Sequence, residues 1–73
     1  MKIRMPLGHI IVRVLEKKGK IMMIKELYEE IVKEEREITI EQLYNELLKL
    51  EVLGIIRSMR VSGEKIRVEL LEP

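Results

Sequence analysis

Three stretches with an apolar period near 3.6 residues, then two with a period of two around a Ser-Gly turn, predict an α+β fold. The order helix, helix, helix, hairpin, with short connections, is that of a winged helix-turn-helix, with a two- or three-stranded β-wing. At 73 residues the chain fits one domain and not two, so residues 1–73 are read as a single unit.

Each element has its own local signal. Pro6 sits where the first turn of a helix tolerates proline, and Leu7, Ile10, Ile11, Val14 and Leu15 follow at i, i+3, i+4, i+7 and i+8. Lys17 and Lys18 suit the negative end of that helix, and Gly19 supplies its stop. Lys20 to Met23 form a short apolar stretch, expected as a small strand that joins the later sheet. Ile24, Leu27, Tyr28, Ile31 and Val32 repeat the helical spacing, which predicts a second helix from about Ile24 to about Glu35. Its other face, Glu26, Glu29, Glu30, Lys33 and Glu34, is polar throughout. Arg36 to Ile38 make a tight connection. Thr39 is a good N-cap, with Gln42 in the capping-box position three residues on. The third helix is expected to turn Ile40, Leu43, Leu47, Leu50 and Leu53 inward, and Gly54 to end it. Ile55 to Val61 is β-branched and alternating. Ile66, Val68 and Leu70 then alternate with Lys65, Arg67 and Glu69 across the turn at Ser62-Gly63.

Composition narrows the function classes. A chain this short buries only about 60% of the surface its unfolded form exposes, so its core must be dense in apolar side chains. The 47% hydrophobic content meets that need through Ile, Leu, Val and Met. The absence of Phe and Trp argues against stacking platforms for single-stranded nucleic acid. Without Cys there are no disulfides, thiolate metal sites or Cys nucleophile, and a cytoplasmic setting is expected. No apolar run approaches the ~20 residues of a membrane span, and no signal-peptide core is present. The acids are all Glu, with one Asn and one Gln among many Lys, Arg and Ile, a bias that suggests a thermophilic source.

The net charge of +1 hides a division along the chain. Residues 1–25 carry seven Lys or Arg against one Glu, residues 26–51 three against nine, and residues 52–73 four against three. Such a pattern either pairs off internally or faces different partners.

In a winged helix the third helix enters the major groove. Its solvent side offers Thr39, Gln42, Asn45 and Lys49; amides can bond adenine bidentately, and Lys can reach guanine or phosphate. Glu41 and Glu46 share that side and repel phosphates. The same residues also fit an ordinary solvated surface. Around the wing, Arg57, Arg60, Lys65 and Arg67 gather within eleven residues, suited to phosphate contacts that position without specifying sequence. Charge that protects a sheet edge is the other reading of this cluster. Lys17, Lys18 and Lys20 extend the patch if the end of helix one lies beside the wing. His9 has no Asp or Cys to work with and reads as a surface residue. Tyr28 and Tyr44 read as the rim of the core, and the five Met as gap fillers. No phosphate loop, catalytic set or metal-ligand spacing is present, so neither an enzyme, a cofactor nor a small-molecule substrate is expected.

The runs Glu26-Leu27-Tyr28-Glu29-Glu30-Ile31 and Tyr44 to Ser62 (YNELLKLEVLGIIRSMRVS) carry a resemblance. They are similar to the winged-helix domain of archaeal origin-recognition initiators, over roughly residues 20–70. That resemblance implies a DNA-binding winged helix with a recognition helix and a basic wing. This chain departs from it at Ile40-Glu41-Gln42, where members place a polar or basic cluster, and in its short wing, Val61 to Lys65. The initiators' ATPase module is absent, so nucleotide binding is not carried over.

Together these readings predict a domain that binds double-stranded DNA, as a small transcription regulator or as part of a replication initiator. The rival expectation is a protein-interaction winged helix of the ESCRT-like, complex-assembly kind, which the acidic middle favours. A third is a homodimer through helix one, where Val12 falls off the apolar stripe.

Overall fold

In the computed structural model, which describes residues 6–34 and 37–71, the order of elements is α1 (Leu7–Lys17), β1 (Ile21–Met23), α2 (Ile24–Lys33), α3 (Ile40–Val52), β2 (Ile56–Ser62) and β3 (Lys65–Leu70). This is the predicted α+β winged helix. Glu35 and Arg36, where helix two and its connection were expected to meet, lie outside the described residues.

The end of α1 fixes where the sheet starts. Gly19 and Lys20 both take positive φ, 87° and 73°. Only glycine adopts that region without a steric penalty, so Lys20 bears one. What holds it there are two backbone bonds. The Lys20 N–H donates to Leu15 O at 2.7 Å, and its carbonyl accepts from the Leu70 N–H at 2.8 Å. The reversal thus delivers β1 onto the far end of β3.

Ion pairs lace α2 to α1. Arg13 Nη2 lies 2.7 Å from Glu34 Oε2, and Lys18 Nζ lies 3.0 Å from Glu30 Oε1. Lys18's hydrogen bond, with Lys33 adding its charge, holds the Glu30 carboxyl below its ordinary pKa. Pairs this exposed set geometry more than stability.

The third helix starts on the predicted capping box. Gln42 N–H donates to Thr39 Oγ1 at 3.1 Å, and Thr39 N–H donates to Gln42 Oε1 at 2.8 Å. Just before it, Tyr28 OH donates to Ile38 O at 3.0 Å and fastens the connection. Replacing Thr39 with Ala should cost about 1 kcal/mol of stability, measured by thermal unfolding. An unchanged transition would mean the box does not form in solution.

Antiparallel pairing puts β3 in the middle of a sheet ordered β1-β3-β2. The inner side chains of all three strands meet the helices in one core: Ile11, Leu15, Leu27, Ile31, Leu43, Ile56 and Val68 are all under 2% exposed. No polar or charged residue is buried among those described. Two expected core positions of α3 differ. Ile40 is 42% exposed and Leu53 70%. Leu53 is the C-cap, one residue beyond the helix, and sits roughly 90° around the axis from the middle of the line through Leu43, Leu47 and Leu50 at 3.6 residues per turn. Ile40 is the first helical residue, at the edge of that line.

The hairpin turn is also shifted by one residue. Ser62 pairs with Lys65, so Gly63-Glu64 form the two-residue loop, with Gly63 at φ 51°. The register slips between Arg60 and Ser62, leaving Val61 as the extra residue of a bulge.

Candidate nucleic-acid interface

Burial of Leu43, Leu47 and Leu50 decides which side of α3 faces out. Opposite them, at spacings of four, three and four, lie Glu41, Asn45, Leu48 and Val52, all exposed. Asn45 and Lys49 share a shallow, mainly apolar depression with Leu48, Val52 and Leu53. Lys49 is exposed, its Nζ 3.9 Å from Glu46 Oε1. Thr39 and Gln42 are exposed too, but their side chains close the capping box. Gln42 therefore has its amide oxygen already engaged, leaving its amide nitrogen as the free donor.

Glu46 is not on the groove side as expected. Its carboxylate reaches the start of α1, where a Cβ on Gly8 would stand 3.2 Å from Glu46 Oε2. The first turn of α1 has no acidic residue of its own, so Glu46 supplies the negative charge that a helix N-terminus favours. One carboxylate, Glu41, remains on the outward line.

The wing does not hold its four cations in one cluster. Side chains alternate across a strand, and Ile56, Ser58 and Arg60 share the helix-facing side with Ile66, Val68 and Leu70. Arg57 and Arg67 lie on the other face. Arg57 stands opposite Glu69, and Arg67 Nη2 rests 3.5 Å from Met59 Sδ. Arg60 extends beyond Ser58, whose hydroxyl donates to Glu51 Oε1 at 2.9 Å and ties β2 to the end of α3. Lys65 is at the tip.

The fold adds a residue that sequence reasoning missed. The wing tip closes on the helices in a cleft whose walls include Lys25 and Tyr28 of α2, Ile40 and Tyr44 of α3, and Lys65 and Ile66 of β3. Lys25, at the first turn of α2, thereby shares a cleft with Lys65, in which Glu64 also stands; the third cation of this side, Arg60, lies on the helix-facing side of β2, outside the cleft. None of the three makes an ion pair among the described residues. Tyr28 lines the core rim as expected, whereas Tyr44 is 42% exposed.

Three further expectations find their places. The end of α1 meets the base of the hairpin, at Leu70, and not its tip. Lys17, Lys18 and Lys20 therefore do not extend the wing patch, and Lys18 is paired with Glu30. Val12 is half-buried and packed on the core. His9 is exposed on α1. No helix among the described residues is long and apolar enough to cross a membrane.

The sequence profile described as "Ferric uptake regulator family" matches residues 6–72. No curated protein matches the chain. The profile match lends nothing to an origin-recognition identity or an archaeal source; the winged helix and DNA binding are what the two resemblances share.

Proposed function

This chain belongs to the ferric uptake regulator family, and from that premise we propose that it acts as a small transcription regulator whose α3 enters the major groove of double-stranded DNA. Members of the family are winged-helix DNA-binding regulators and not enzymes. The replication-initiator alternative has no support in the match.

One observation carries the reading of the surface. Lys25 and Lys65 share a cleft with Ile40 and Tyr44 of α3, and Arg60 lies on the helix-facing side of β2; all three are unpaired among the described residues. In a helix-turn-helix the first helix of the pair crosses the phosphate backbone while the second lies in the groove. Here α2 is the first, and Lys25 at its start is placed for a phosphate. Arg60 and Lys65 bring the wing to the neighbouring backbone. Asn45 and Lys49 face the base edges, and Thr39 opens the helix toward them. Arg57 and Arg67, on the outer face of the hairpin, stand apart from this contact.

The family's name points to iron, and the donors present do not fit an iron centre. The sequence has one His and neither Cys nor Asp. Among the described residues no three His, Cys, Asp or Glu side chains come together to hold a metal ion.

A salt series on a duplex of random sequence tests the proposal. Each phosphate neutralised by a Lys or Arg contributes about −0.9 to the slope of log affinity against log salt. Three contacts predict a slope of about −2.7 or steeper. No binding at low salt would sink it and favour a protein-interaction module.

A further inference from the structure

We propose that Leu48 and Val52 select bases by packing on the C5-methyl groups of thymine. This rests on the reading of α3 as the groove-entering helix. Leu48 is 63% exposed and Val52 82%, among the most exposed large apolar side chains described. A single exposed aliphatic residue needs no explanation. Here they adjoin Leu53 in one depression on the helix that the fold presents.

The chemistry of the groove restricts what can cover them. Base edges in the major groove offer hydrogen-bond donors and acceptors, and one apolar group, the thymine methyl. A Leu set against a G·C pair would strip water from the cytosine amino group or guanine O6 and return no hydrogen bond. Against thymine it buries a methyl at no such cost. The outward line of α3 contains no Arg; its neighbour Lys49, in the same depression, has Glu46 Oε1 3.9 Å away to offset its charge. Asn45, one turn before Leu48, has the amide that pairs bidentately with adenine.

Charge favours DNA over a second copy as the occupant. Lys25 and Lys65 stand in the cleft that borders the first half of α3 at Ile40 and Tyr44, with Glu64 beside them, and Lys49 lines the depression itself. Three aliphatic side chains fall well short of the roughly 800 Å² that each side of a stable protein interface buries.

The test starts from a preferred duplex selected by the full chain from a random pool. Its thymines are then replaced singly by deoxyuridine, which keeps the hydrogen-bonding edge and lacks the methyl. At the contacted positions the unaltered protein should bind about fourfold more weakly, the equilibrium equivalent of one buried methyl-sized group. Leu48→Ala should lose a similar factor on the thymine duplex and cease to distinguish thymine from deoxyuridine at one position; Val52→Ala should do so at another. Equal binding of all thymine and deoxyuridine duplexes would overturn the inference while leaving DNA binding intact. So would a concentration-dependent dimer, seen by sedimentation, that Leu48→Ala dissociates without changing base discrimination. Absence of binding to any duplex at low salt would overturn both the inference and the reading beneath it.

Discussion

Leu43→Ala should lower the unfolding free energy by about 2–5 kcal/mol, the range for a large apolar side chain truncated in a core. Leu43 is fully buried, in the first half of α3. Its loss opens a space where α3 packs on the rest of the core. A domain of 73 residues is stable by roughly 4–11 kcal/mol, so one substitution removes a large share of the total. The midpoint of thermal unfolding should fall by at least about 8 °C, followed by far-ultraviolet circular dichroism. A loss under about 0.5 kcal/mol, the size expected of a surface position, would mean that the register of α3 is wrong.

The second large effect is electrostatic and leaves folding alone. With Lys25, Arg60 and Lys65 all changed to Gln, the salt slope of duplex binding should become shallower by about 2.7. Put as affinity, the fall between about 50 and about 200 mM salt should shrink by a factor of about forty. Unfolding should move by no more than about 0.5 kcal/mol, because all three side chains are exposed. Changing Arg57 and Arg67 to Gln is the matched comparison, with two charges removed from the outer face. If that pair flattens the slope and the first three substitutions do not, the hairpin meets DNA with its other face.

The capping box was legible because it is local: Thr39 and Gln42 are three residues apart and need no knowledge of the rest of the chain. The apolar stripes of the helices were legible for the same reason. Leu53 was misjudged because continuing a stripe past the end of a helix carries it off the core face. Glu46 reads as a solvent residue until α1 is known to pack beside it with Gly8 facing it. Lys25 and Lys65, forty residues apart, meet only through the packing of the wing on α2. The split of the wing cations was available in the sequence. Arg57 and Arg60 are separated by an odd number of residues, which places them on opposite faces of one strand. The apolar face of α3 was also available, since Leu48 and Val52 fall outside the stripe that buries Leu43, Leu47 and Leu50.

The middle place of β3 in the sheet has a consequence for how the domain is made. Ribosomes add about 5–20 residues per second, and β1 is synthesised more than forty residues before the strand it pairs with. Until β3 has emerged, β1 and β2 have no neighbour to bond, since each pairs with β3 and not with the other. The helices, whose contacts are local, can gather first, with Met22 and Ile56 still bare to solvent. Pairings so distant in sequence form slowly, because the loop between them must be closed before any bond rewards it. The pairing of β1 with β3 is therefore the contact of the sheet with the longest loop to close, and the Leu70–Lys20 bond that helps to hold the reversal at Lys20 depends on it.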